Sequence, residues 1–146
     1  MEDQSQTVQL GVQLGVSALL VIVMTIVHSL GLMVASRILP LDEDRLKKRN
    51  FDLRGVMLLG TLGFTLFALH IAEIWLFAAF YLLIDAMQSL EEALYYSASA
   101  YATLGRTAEY FPDEWRLLGA VEALIGFVLI SWSTALMVTT MNKLRH

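Results

Sequence analysis

The stretch ASAYATLGRTAEYFPDEW, residues 98–115, lies between two long apolar runs, and its reading decides the fold. It begins in small and aromatic residues that suit a buried helix, turns through Thr103, Leu104 and Gly105, and ends in a charged segment containing Pro112. Just upstream, SLEE places Ser89 three residues before Glu92, the capping-box spacing of a helix N-terminus. This predicts a helix from about Leu90 to Ala102, too short to span a membrane and apolar enough to be buried. Such a helix dips into the bilayer. Irregular backbone after it is tolerated at that depth only where protein surrounds it or water lines it, so TLGRTAEY implies a water-lined opening.

Composition places the rest of the chain in lipid as well. Of 146 residues, 57% are hydrophobic and 16% charged, too apolar for a soluble domain of this length. Three segments exceed the roughly 20 residues that cross a hydrocarbon core: about Val8 to Leu39, about Gly55 to Ile84, and about Leu117 to Met141. The first is interrupted only by His28 and the terminal Arg37. Between the first two, PLDEDRLKKRNFDLR carries Arg45, Lys47, Lys48, Arg49 and Arg54, which makes this loop cytoplasmic by the positive-inside rule. The N-terminus is then expected outside and the C-terminal NKLRH inside. The outer segments are acidic, holding Glu2, Asp3, Asp85, Glu91, Glu92, Glu109, Asp113 and Glu114.

Several function classes are disfavoured. The chain has no cysteine, so disulfides, thiolate metal sites and cysteine nucleophiles are absent. A net charge of −4 repels phosphate, and the one basic cluster sits beside a membrane segment, where anionic lipid is the expected partner rather than nucleic acid. There is no nucleophile–base–acid set, no phosphate-cradling glycine loop and no HExxH pair, so no enzyme activity is expected. MEDQSQTVQL carries two acids and no base, opposite to a secretory leader, so the N-terminus is expected to be the mature one.

These residues resemble the two-transmembrane pore-domain unit of bacterial potassium-channel-like proteins over roughly Phe67 to Val138. HIAEIWLFAAFYLL is similar to the outer helix and ALYYSASAYATLG to the pore helix and start of the filter. WRLLGAVEALIGFVLISWSTALMV is similar to the inner helix, with Gly126 near the position of a glycine hinge. Thr103, Leu104 and Gly105 match the first three positions of the T-x-G-Y-G-D filter signature. The resemblance implies an all-α membrane protein with three transmembrane helices and a short re-entrant pore helix per chain, forming a homotetramer around a cation path in a bacterial inner membrane. Residues 1–54 would form an added transmembrane helix and basic cytoplasmic loop. Residues 55–146 would form the pore domain, with outer helix 55–84, pore helix and filter 89–110 and inner helix 116–141. No cofactor is implied, and the permeant ions would be K⁺ or Na⁺, with no other metal.

The filter departs from the signature after Gly105. Arg106, Thr107 and Ala108 stand where the family has Tyr-Gly-Asp. Forcing the β-branched Thr107 into a left-handed conformation costs on the order of 1 to 2 kcal/mol per subunit, which disfavours a standard filter of backbone carbonyls. Arg106 either pairs with Glu109, Glu92 or Glu122, or lines the mouth and repels cations. Weak selectivity is therefore expected.

The remaining candidates are intramembrane polar groups. His70 and Glu73 share a helix face at i, i+3 spacing near mid-span. Such a pair is a proton or metal site, or the two hydrogen-bond each other or the pore helix and lock the outer wall. Glu122 is expected to support the filter, either paired with Arg106 or protonated. Gly11 and Gly15, then Gly31 and Ala35, repeat the small-xxx-small spacing that lets helices approach closely. Ser131, Ser133, Thr134, Thr139 and Thr140 put hydroxyls on the third span, where they suit a hydrated cavity or bond back to their own helix. Three functional readings follow: a weakly selective cation channel, a non-conducting structural or regulatory assembly on a channel scaffold, and a proton or divalent-metal pathway through His70, Glu73 and Glu122. The third predicts transport that tracks histidine protonation near pH ~6.5.

Overall fold

The computed structural model describes residues 2–39, 41, 53–104 and 111–145. It is all-α: α1 (Glu2–Ile38), α2 (Leu53–Leu83), α3 (Leu90–Tyr101) and α4 (Arg116–Arg145), the last preceded by a 3-10 turn at Asp113–Trp115. Three of these helices are long and apolar enough to cross a membrane, over Thr7–Ile38, Leu53–Leu83 and Arg116–Leu144, as in a multi-pass membrane protein. In their most apolar windows only 17% (α1) and 28% (α2 and α4) of residues are buried within the chain. Most of this apolar surface therefore faces outward, as lipid or further copies of the chain require. The basic loop with Arg45, Lys47, Lys48 and Arg49 lies outside the described residues.

The helices run beyond the apolar segments that signal them. α1 starts at Glu2 rather than near Val8, and α4 continues past Met141 to Arg145. Hydropathy marks the length that lipid can cover, whereas helical hydrogen bonding continues as long as the residues tolerate it.

α1 and α4 run parallel. The Leu117 N–H donates to Gln13 Oε1 at 3.1 Å near one end, and His28 meets Ser133 15 residues further along α1. The Gln13 amide thereby satisfies one of the backbone donors that a helix N-terminus leaves open. α2 runs antiparallel to α1, with Gly31 against the Leu69 side chain and His28 against Glu73. Gly31 and the buried Ala35 thus lie on the packed side of α1, whereas a Cβ at Gly11 or Gly15 would meet nothing within 4 Å.

The short helix α3 packs against both α2 and α4. Its N-cap is Ser89, in extended conformation, whose Oγ accepts from the Glu92 N–H at 3.2 Å. From there α3 runs back along α2. Ser97 Oγ lies 3.0 Å from the Ile74 carbonyl oxygen, and Tyr101 Oη lies 2.8 Å from His70 Nδ1. At 1.5 Å per residue, the level of His70 is about 20 Å along α2 from Leu83. By Phe111 the chain has returned, its ring stacked on Tyr96 at 4.2 Å and edge-on to Tyr81 at 5.1 Å. These rings form the core with Phe77, Ala93, Tyr101, Leu118, Ile125 and Leu129.

α4 can approach α3 closely because it presents glycine there. A Cβ at Gly119 would lie 1.9 Å from Tyr96 Oη, and one at Gly126 would lie 2.7 Å from the Tyr101 carbonyl oxygen.

α2 and α3 end in the same way. Asp85 and Thr103 take positive φ values of 54° and 58°. Each begins a Schellman pair: Asp85 N–H to Leu82 and Ala86 N–H to Tyr81, then Thr103 N–H to Ala100 and Leu104 N–H to Ser99. Asp tolerates this left-handed position, whereas a β-branched Thr is strained in it. Relief of about 1 to 2 kcal/mol of strain, offset by the added chain entropy of glycine, sets the expected effect of Thr103→Gly. The variant should gain about 1 kcal/mol in stability, measured by thermal unfolding in detergent micelles. A loss of stability would mean that the Thr103 side chain makes contacts worth more than the strain.

Candidate functional site

Two buried polar groups join the helices across the apolar core, and each is organised by one carboxyl group. The first is Glu122, on α4 and fully buried. Its Oε2 accepts from the Tyr81 hydroxyl of α2 at 2.5 Å, and its Oε1 accepts from Ser97 Oγ of α3 at 2.5 Å. Glu122 thus links the helices on either side of α3 to α3 itself. A buried carboxyl group needs such donors, because burial without them costs several kcal/mol.

The second group is centred on Glu73, also fully buried, where all four helices meet. His28 Nδ1 of α1 lies 2.8 Å from Glu73 Oε1. The Tyr101 hydroxyl of α3 donates to Glu73 Oε2, and His70 Nδ1 lies 3.1 Å from that same oxygen. His70 Nδ1 also lies 2.8 Å from Tyr101 Oη, and Ser133 Oγ of α4 lies 3.4 Å from His28 Nε2. An ionised carboxylate only accepts hydrogen bonds, so with Glu73 ionised both Nδ1 atoms carry protons toward it. Ser133 can then donate to the free Nε2 of His28. The two imidazoles stack with centroids 5.5 Å apart, and Trp132 closes against His28 at the same distance.

The local sequence explains why these residues converge. The i, i+3 spacing of His70 and Glu73 puts both on one face of α2. The close approach at Gly126 brings Tyr101 into the bundle, so its hydroxyl reaches that face. Donor atoms of His28, His70 and Glu73 all lie within 4.8 Å of one another. The group can therefore hold a proton or a cation at the level where α3 ends.

The other expected residues are dispersed. Thr103 and Leu104 are exposed just beyond α3, Leu104 to 70%. Gly105, Arg106, Thr107 and Glu109 lie outside the described residues. Glu92 is exposed in the first turn of α3, where it supplies the capped backbone N–H. Glu122 belongs to the Tyr81–Ser97 group, separate from the hydrogen bonds around Glu73. His70 Nδ1 lies within hydrogen-bonding distance of both Glu73 and Tyr101 of α3.

Sequence reasoning passed over His28, Tyr101, Tyr81 and Ser97, and gave Ser133 only as one hydroxyl among several. For His28 the signal was present: it is the one ionisable residue within the apolar run from Val8 to Ser36, and such residues in membrane helices are functional candidates. No family model, curated protein or solved structure matches this chain.

Proposed function

We propose that the chain is a subunit of a cation-permeation pathway in a bacterial inner membrane, built on a potassium-channel-like plan with an altered filter. The observation that carries this reading is the placement of residues 89–104 and of Phe111. α3 descends between α2 and α4 to the level of His70, and Phe111 is back beside Tyr81. Thr103 and Leu104 follow the end of α3 at that depth, where backbone outside a helix needs protein or water around it, and copies of the chain around an axis would supply both. Leu104 and Thr103 are exposed within one chain, and on this reading neighbouring copies would cover them.

Electrostatics favour a cation at this point. The carbonyl end of α3 carries partial negative charge, and the acidic outer segments raise the local cation concentration. With Arg106 and Thr107 in place of Tyr-Gly, the pathway discriminates weakly between K⁺ and Na⁺.

The test is flux through the purified protein in liposomes, with K⁺, Na⁺ and a large organic cation compared. Wild type should pass K⁺ and Na⁺ at similar rates and exclude the large cation, and a variant with Arg106→Tyr and Thr107→Gly should prefer K⁺. A wild-type chain that passes no ion under any condition would move the reading to a non-conducting assembly on the same scaffold.

A further inference from the structure

We propose that His28, His70, Glu73 and Tyr101 form a binding site for one divalent first-row transition metal, Zn²⁺ being the simplest occupant, which ties α1 to the other helices. The inference does not rest on the permeation reading, and its test reads metal rather than flux.

The donor set is the first argument. Two imidazole nitrogens, a carboxylate and a phenol oxygen offer the mixed N/O ligands that such metals take, with tetrahedral geometry natural for zinc. Bond lengths of about 2.0 to 2.1 Å place tetrahedral ligands about 3.3 Å apart. The separations here are 2.8 Å for His28 Nδ1 to Glu73 Oε1, 3.1 Å for His70 Nδ1 to Glu73 Oε2 and 2.8 Å for His70 Nδ1 to Tyr101 Oη. The donor atoms of His28, His70 and Glu73 all lie within 4.8 Å of one another. The three hydrogen-bonded separations lie within about 0.5 Å of that spacing. The ions that this geometry excludes are Mg²⁺ and Ca²⁺, which require oxygen-rich shells.

The surroundings are the second argument. A ligating imidazole passes its proton to the other ring nitrogen, which then needs an acceptor. For His28 that acceptor is Ser133 Oγ, 3.4 Å from Nε2, a hydroxyl that can reverse from donor to acceptor by rotating its proton. On binding, each imidazole moves its proton from Nδ1 to Nε2, Tyr101 releases its hydroxyl proton to solvent and binds as the phenolate, Glu73 remains a carboxylate, and no electron is transferred. A divalent ion also neutralises the Glu73 charge in an apolar setting. His70 has 15% of its side chain exposed, while His28 and Glu73 have none, so the metal enters past His70.

The groups facing the site come from every helix: His28 from α1, His70 and Glu73 from α2, Tyr101 from α3, and Ser133 with Trp132 from α4. Four ligands from three helices make a bridge. It holds α1, which the resemblance leaves outside the pore unit, to the helices that surround α3.

The experiment uses the full-length untagged protein in detergent micelles, stripped with EDTA and titrated with Co²⁺, with visible absorption as the readout and Zn²⁺ as competitor. One Co²⁺ per chain is expected, with the strong absorption of a tetrahedral site, displaced stoichiometrically by Zn²⁺. His28→Gln should weaken binding by more than about 100-fold, and Ser133→Ala by about 10-fold. Tyr101→Phe keeps the ring and removes the oxygen, so it should shift the Co²⁺ spectrum even if His28→Gln fails to fold. Weak six-coordinate absorption in wild type would overturn the proposal. So would a folded His28→Gln variant that binds as tightly as wild type, or an unchanged spectrum in Tyr101→Phe.

Discussion

Glu73→Ala is expected to destabilise the folded chain by about 3 to 5 kcal/mol, the cost of removing one partner from a buried charged group. The size follows from what the carboxylate serves. His28 and Tyr101 both direct their polar atoms at it from other helices, and His70 reaches it from the preceding turn. Without it, the fully buried His28 and the buried Tyr101 lose an acceptor that water cannot replace. Glu73→Gln fills the same volume and still accepts through one oxygen, so it should cost less, about 1 to 3 kcal/mol. Both are measured as shifts in the unfolding free energy in detergent, with EDTA present so that metal binding does not contribute. A loss below about 1 kcal/mol for the alanine variant, the worth of one ordinary hydrogen bond, would show that Glu73 does not organise this junction.

Gly126→Val is expected to cost about 3 kcal/mol, at the upper end of what overpacking a core does. Its Cβ would lie 2.7 Å from the Tyr101 carbonyl oxygen and 3.1 Å from the Tyr101 Cα. Those are backbone atoms, so the collision cannot be relieved by a rotamer change and α3 must move as a body. Displacing α3 moves Tyr101 away from Glu73 and Ser97 away from Glu122, so polar losses add to the steric one. Gly11→Val is the matched control. A Cβ at Gly11 meets nothing within 4 Å, and the variant should change stability by less than about 0.5 kcal/mol. A large effect at Gly11 together with a small one at Gly126 would place the essential close contact between copies of the chain rather than within it.

Both variants bear on the same structural fact: the depth of α3 is held by two carboxyl groups and two glycines. Glu122 fixes Ser97 and Tyr81, Glu73 fixes Tyr101, and Gly119 and Gly126 let α4 lie against Tyr96 and Tyr101.

The three long apolar segments and the SLEE cap were legible in the chain because both signals are local. Hydropathy needs only a continuous stretch, and the Ser89–Glu92 pair acts across one turn. The His70–Glu73 pair was legible for the same reason. The partners that complete the buried groups were not. Glu73 meets His28 from 45 positions away in the numbering and Tyr101 from 28, while Ser133 faces His28 from 105 away. No helical period relates residues on different helices, and a tyrosine or serine in an apolar run reads alike whether it faces lipid or a carboxylate. The role of α1 shows the difference most clearly: its small-residue spacing announced a packing helix, but its contribution of a buried imidazole depends on α2 crossing it at the level of Glu73. Local periodicity and capping chemistry specify which segments are helices and which can enter lipid. Which side chains share a buried carboxylate is decided by helix packing, because only the crossing of helices brings distant polar groups within hydrogen-bonding distance.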